Sequence, residues 1–222
     1  MITLYEYALS GNCYKVRQLA AWLGLPLQRV PINLHPGQQH KSAEFLALNP
    51  LGQVPVINDD GFVLRDSQAI LVYLASRHDS EGRWYPADPQ ARGQITLWLA
   101  VAEDLNRTAS AARTHDTLGD THIDVVAARA GAHAVFRTLD DHLAERASAG
   151  AQWLVGDAPT IADIACFPYV ALAQDGGLSL DAYPALRHWV WAFRHLPGFI
   201  GMGGIRVPDP TQRPLQPGTS RE

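Results

Sequence analysis

Three chemically useful side chains lie within four positions near the start of the chain. They are the hydroxyl of Ser10, the amide of Asn12 and the thiol of Cys13, in the stretch LSGNCYKVR. A β-prone run over residues 2–7 precedes them, and Val16, Leu19, Ala20 and Leu23 follow at the spacing of one helix face, which Gly24 closes. The three groups therefore stand at a helix mouth, where unpaired N–H groups and the macrodipole stabilise an anion, a thiolate included. A hydroxyl or an amide at that point donates to a thiolate and favours its charged form. Cys13 has two readings: the reactive thiol itself, or a small apolar residue of the first turn pointing inward.

Two further features carry chemistry. In NPLGQVPVINDDG, Pro55 directly precedes a β-prone run and cannot donate to a central ladder. Either Val54-Pro55 is cis and frees the backbone of Val54 for an extended peptide ligand, or it is an ordinary trans proline at an edge strand. Asp66-Ser67 open another helix, whose free N–H groups and serine hydroxyl suit a carboxylate while Asp66 suits an ammonium group. The alternative for this pair is a plain N-cap. His35 and His40 share a loop without the helical HxxxH spacing and partner ligands of a zinc site, so no metal is expected. No GxGxxG, GxxxxGK[ST] or GxSxG occurs, which removes support for dinucleotide, P-loop and α/β-hydrolase chemistry.

The elements that must position these groups read as follows. The first strand, the helix after Ser10 and a strand over residues 27–33 make a βαβ unit, which demands parallel pairing. A polar loop over 35–41, a short helix in SAEFLALN, a hairpin of strands 54–58 and 62–64 around the turn 58–61, and an apolar helix from Asp66 complete βαβ-ββα. A polar stretch over residues 77–88 supplies a linker, taken as 81–88 between units at 1–80 and 89–222. Beyond it only helices are expected, over 90–112, 122–147, 160–173 and 182–195. Thr160 and Asp163 form a capping box at the start of the third of these. From about residue 207 the chain is proline-rich and is expected to be irregular or an extended arm.

Composition fits this outline. The 222 residues are 47% hydrophobic and 18% charged, enough for a sizeable core. A net charge of −4 without a Lys/Arg block argues against nucleic acid. Cys13 and Cys166 are the only cysteines and neither lies in a CxxC, which suggests a reducing, cytoplasmic setting. No run of about 18 apolar residues exists, so no membrane span is expected, and the N-terminus lacks the pattern of a signal peptide.

Taken in order, SGNCYKVR, GQQHKSAEFLALNPLGQVPVINDDG, LRDSQAILVYLA and WLVGDAPTIADIACFPYV resemble the cytosolic glutathione S-transferase family over residues 2 to about 200. The resemblance implies a thioredoxin-like α/β N-terminal domain, an all-α C-terminal domain, a homodimer, and glutathione as co-substrate. It implies that Val54, beside a cis Pro55 and next to Gln53, pairs with the cysteinyl part of the tripeptide. Asp66 and Ser67 would hold the γ-glutamyl end, and His40 with Gln39 or Lys41 would meet the glycine carboxylate. Asp66 stands where glutamate is commoner, one methylene shorter.

The catalytic group varies among classes. Tyrosine classes use the first strand, where the candidates are Tyr5 and Tyr7. Serine classes place a hydroxyl three residues before a cysteine, which selects Ser10. Bacterial nu-like members, which handle glutathione disulfides, carry Thr-x-Asn at this turn and map onto Ser10 and Asn12. The cysteine of beta-like members falls nearer Gly11 than Cys13. The resulting order is Ser10, Asn12, Cys13. The implied activity is attack of the glutathione thiolate on electrophilic small molecules. Alternatives are glutathione-dependent disulfide reduction or peroxidase activity, and a regulatory protein that binds without turnover. Isomerisation of maleylacetoacetate ranks lower, because SGNC replaces the serine-serine-cysteine-tryptophan motif. By the same resemblance, residues 98–114 wall the second-substrate pocket, with Leu9, Asn106 and Arg113 as candidates.

Overall fold

Strand β1 (Ile2–Glu6) alternates buried and half-buried residues and occupies an interior position. It pairs in parallel with β2 (Leu27–Pro31), as the intervening helix α1 (Gly11–Trp22) requires, and antiparallel with β3 (Val56–Asp59). β4 (Phe62–Arg65) pairs antiparallel with β3, giving the order β2-β1-β3-β4. These coordinates form a computed structural model that describes residues 1–209. The proline-rich tail expectation thus falls almost entirely outside the described residues, and 207–209 have no regular structure.

Several local expectations are corrected. β2 stops at Pro31 rather than residue 33, and β3 starts at Val56, just after Pro55. The hairpin turn is the two-residue Asp60-Gly61, since Asp59 already pairs with Phe62. Both central residues have positive φ, 49° and 97°, the twist a tight hairpin needs. β3 lies inside the sheet and Val54-Pro55 is cis, so the edge-strand trans alternative is overturned. Placing the proline one residue ahead of the ladder keeps every strand N–H available.

The charged residue of β1 illustrates what burial demands. Glu6 is buried, and its two carboxylate oxygens meet the guanidinium groups of Arg17 from α1 and Arg29 from β2. An ion pair to each oxygen answers a charge that would otherwise be costly inside a sheet.

After a 3₁₀ turn (Gln39–Lys41), α2 (Ala43–Leu48) is capped by Ser42. Helix α3 (Ser67–His78) then packs beside α1. The polar linker is anchored rather than loose. Trp84 is buried, stacks on Trp22 of α1 at 4.5 Å, and accepts a hydrogen bond from the Ile161 N–H at 2.9 Å.

Helix α4 (Pro89–Leu105) starts with proline at a first-turn position and an Asp88 cap. It continues through a π segment (Asn106–Ser110) into α5 (Ala111–Leu118), so the helix expected to end at 112 runs on to 118. Single π turns inside helices gather at functional sites. The bundle is completed by α6 (Val125–Ser148), α7 (Ile161–Ala171) and α8 (Pro184–Arg194). Every residue from Ile161 to Val170 is buried, as an apolar helix at the centre of a bundle must be. Among the described residues no helix is long and apolar enough to cross a membrane.

The expected capping box of α7 is present and does more than start a helix. Asp163 Oδ2 accepts from the Thr160 N–H at 2.9 Å, while Oδ1 accepts from Leu154 N–H at 3.1 Å and Trp189 Nε1 at 2.9 Å. Burial pushes the carboxyl upward in pKa, and these donors oppose it. Asp163→Ala leaves three buried donors unpaired and is expected to lower unfolding free energy by about 3 kcal/mol. Urea denaturation checks this, and a loss below about 1 kcal/mol contradicts it.

Candidate active site

The mouth of α1 is built from its own sequence. Ser10 is the N-cap, at φ −78° and ψ 121°, and its Oγ accepts from the Cys13 N–H at 3.2 Å. The hydroxyl also reaches the Cys13 thiol, whose acidity it raises against the larger effect of burial. Asn12 is more committed. Its Nδ2 donates to Asn106 Oδ1 at 3.2 Å, and its Oδ1 lies 3.3 Å from the Ser67 hydroxyl. Cys13 points inward: it is fully buried, its Sγ accepts from the Tyr7 N–H at 3.5 Å, and burial pushes its thiol up to about 11. It is therefore protonated near neutral pH. Tyr5 packs against the small cluster of Ile32, Phe45 and Val56, and Tyr7 is half-buried.

Across from this mouth, neither the N–H nor the C=O of Val54 has a hydrogen-bond partner among the described residues, and Pro55 behind it is buried. The backbone of Val54 is thus ready for an extended peptide. Gln53 is exposed, and its carbonyl accepts from Asn49 Nδ2 at 2.8 Å. Asp66 caps α3 through Oδ1 to the Ala69 N–H at 2.9 Å. It does so at φ 74°, a conformation that costs an L-residue roughly 1–3 kcal/mol and is concentrated at ligand sites. Ser67 is buried beside it, its hydroxyl also meeting Gln68. Of the trio at the 3₁₀ turn, Gln39 is occupied in accepting from the Asn33 N–H at 2.9 Å. His40 is half-buried with an unpartnered Nδ1, and desolvation, then Lys41, lowers its pKa. Lys41 is exposed.

The three candidates for the second-substrate wall differ in how far their polar groups are already used. Leu9 is 41% exposed. Asn106 is engaged by Asn12 on one side and donates to the Glu103 carboxylate at 3.3 Å on the other. Arg113 donates to Asp175 at 3.0 Å and to the Leu9 carbonyl at 2.9 Å.

Two residues at this seam escaped sequence reasoning. Tyr169 of α7 sits beneath the mouth, its hydroxyl bonded to Ser110 and the Asn12 backbone, and burial pushes it up to about 12. Gly11 permits that approach, because a Cβ there would lie 2.8 Å from Tyr169 Cε1. Lys15 is fully buried, with Nζ 5.5 Å from the Tyr169 ring centre and no hydrogen-bond partner. A lysine one residue ahead of an apolar helix face signals solvent, but α1 is enclosed by α3 and α7 together. No group of three or more His, Cys, Asp or Glu side chains suited to a metal occurs among the described residues.

Comparison with known proteins agrees with this geometry. A family model described as the glutathione S-transferase N-terminal domain matches residues 4–82, and the corresponding C-terminal domain matches residues 94–190. Human glutathione S-transferase theta-2 is 42% identical over 84 residues, 38% of this chain and 34% of that protein. The match therefore spans about a third of that relative's length. Maleylacetoacetate isomerase from Rattus norvegicus is 31% identical over 207 residues, 93% of this chain and 94% of that one. Among solved structures, a glutathione transferase homolog from Lodderomyces elongisporus, described with two GSH per subunit, superposes with a TM-score of 0.79 at 25% identity, covering 89% and 94% of the two chains. The chain belongs to the glutathione S-transferase family, with a thioredoxin-like N-terminal domain and a helical C-terminal domain.

The buried ammonium of Lys15 makes a measurable demand on stability. Burial lowers its pKa from 10.5 to about 8, partly offset by Cys166, Asp66 and Glu103. Below about pH 8 the folded state therefore carries a desolvated charge that the unfolded chain keeps in water, and this cost fades as pH rises from 8 towards 10.5. Lys15→Met is expected to stabilise the fold by about 2 kcal/mol at pH 7. Its advantage should shrink between those two pH values in parallel urea melts. A destabilised Lys15→Met variant contradicts the reading.

Proposed function

We propose that the protein is a glutathione transferase that activates the thiol of bound glutathione for attack on an electrophilic small molecule. One observation carries this: at the mouth of α1, the Ser10 hydroxyl stands at the N-cap while Cys13 is buried and protonated. The nucleophile must then arrive with the ligand. The unpartnered backbone of Val54 suits the cysteinyl residue, with Gln53 beside it, and Asp66 with Ser67 suits the γ-glutamyl ammonium and carboxylate. His40 and Lys41, with Gln39 adjacent, suit the glycine carboxylate.

The chemistry follows from thiol acidity. A free thiol has a pKa of about 8.5, so little thiolate exists at neutral pH. One charge-assisted hydrogen bond from Ser10, together with the dipole of α1, needs to contribute only about 1.4–2.7 kcal/mol to lower it by one to two units. The thiol proton leaves to solvent, the sulfur lone pair forms the new S–C bond, and the leaving group departs with its electron pair. Asn12, tied to Ser67 and Asn106, braces the γ-glutamyl side and is the next candidate donor.

A second reading has a specific observation behind it. A relative that covers nearly the whole chain is named an isomerase, so glutathione-dependent cis–trans isomerisation of maleylacetoacetate belongs in the substrate panel. Disulfide and hydroperoxide reduction by the same thiolate, and binding without turnover, complete the set. The two cysteines are free, which supports work in a reducing cytoplasm.

Ser10→Ala is expected to bind glutathione nearly as well as the parent and to slow turnover of an aryl halide by about tenfold or more. Steady-state kinetics check this, and an equally active variant would move the role to Asn12. A homodimer is supported by exposed Leu51, Phe62 and Val63, the last of which lines a groove with Ala47, Pro50 and Leu64. Phe62→Glu should shift the species in size-exclusion chromatography with light scattering from dimer to monomer, and a variant that stays dimeric would exclude this face.

A further inference from the structure

We propose that Arg113 is a positioning residue: from the helical domain it holds the Leu9 carbonyl and so sets where the Ser10 hydroxyl points. The inference rests on the glutathione reading above and extends it to a residue that does not touch the tripeptide.

The geometry is that of a clamped peptide plane. The Leu9–Ser10 peptide has two polar groups. Its carbonyl accepts from Arg113 Nη1 at 2.9 Å, and its N–H donates to the Tyr7 carbonyl at 3.0 Å. With both ends held, the plane cannot rotate, and the φ angle of Ser10 is fixed. The next link is also made, since the Ser10 carbonyl accepts from the Tyr14 N–H at 3.0 Å as α1 begins. Of these three restraints, two are local to residues 7–14, and the third comes from α5, more than 100 residues away in sequence.

Arg113 is itself restrained. Its Nε donates to Asp175 Oδ2 at 3.0 Å, and its side chain is only 13% exposed. Asp175 lies in the 3₁₀ turn Ala173–Gly176, which packs directly on α5. A planar guanidinium bonded at two points has a defined orientation, which a lysine ammonium on a flexible stem does not reproduce. The turn around Gly203 adds a contact from the same domain, because a Cβ there would stand 2.7 Å from Leu9 Cδ2. The loop that aims Ser10 is thus gripped from outside its own domain.

Such a grip matters because a donor to a developing thiolate must be fixed before the charge forms. A loop free to rotate would let the hydroxyl turn to water or to other acceptors, and the bound thiol would return towards its free acidity. Binding of the tripeptide, which the first domain provides through Val54, Asp66 and Ser67, would be nearly unaffected.

The test compares the parent with Arg113→Met, Arg113→Lys and Asp175→Asn. Three quantities are read: affinity for S-methylglutathione, the pKa of bound glutathione from ultraviolet thiolate absorbance, and kcat. Both Arg113 variants are expected to raise the bound thiol pKa by about one unit and lower kcat about tenfold, with affinity within about twofold of the parent. Asp175→Asn, which keeps Arg113 but loosens its anchor, should shift the thiol in the same direction by less. Combining Arg113→Met with Ser10→Ala should add no further shift beyond Ser10→Ala alone.

An unchanged thiol pKa in both Arg113 variants overturns the inference, as does a change confined to KM for the electrophile, which would return Arg113 to the substrate pocket. Full recovery in Arg113→Lys also overturns it, since charge alone would then suffice. A parent protein that fails to bind S-methylglutathione would instead overturn the glutathione reading, and the inference with it.

Discussion

The site depends on the first turn of α1, where Ser10 and Asn12 stay half-buried while Cys13 to Ala20 are buried behind them. A helix N-terminus exposes unpaired N–H groups and a partial positive charge. Here Ser10 takes one of those donors, from Cys13, and the Tyr169 hydroxyl meets another, from Asn12. The sheet then sets where the mouth faces. β1 lies between β2 and β3, so the chain leaves it from the interior of the sheet, next to the point where Val54-Pro55 enters β3.

The same first turn is where the two domains meet. Tyr169 of α7 lies under Gly11, Asn106 of the π segment reaches Asn12, and Arg113 of α5 reaches Leu9. Stacking of Trp84 on Trp22 and the hydrogen bond from Ile161 to Trp84 close the seam farther down. The helical domain thereby touches the loop that carries Ser10 at three points. Burial of Lys15 at this seam, with no hydrogen bond to satisfy it, is a cost that the fold carries there.

How far the sequence could be read depends on whether the signal was local. The βαβ-ββα order, the parallel pairing of the first two strands, the α7 capping box and the all-helical second half follow from periodicity, turn residues and caps within a few positions of one another. Ser10 at a helix mouth and Asp66-Ser67 at another were legible for the same reason. The isomer of Val54-Pro55 was not fixed by its residues, because a proline before a strand suits an edge as well as a cis turn. What periodicity missed is long-range: that Lys15 faces α7, that Trp84 anchors the linker, and that Arg113 and Asn106 spend their polar groups across the seam. Nothing within ten residues of any of these reveals its partner.

The central claim is that this helix mouth exists to hold a thiolate that the ligand brings. Its most direct measurement is a pH titration of the thiol of glutathione bound to the parent protein, followed by ultraviolet absorbance. The account predicts a pKa one to two units below the free value of about 8.5. A bound thiol that titrates as it does in free solution would contradict it.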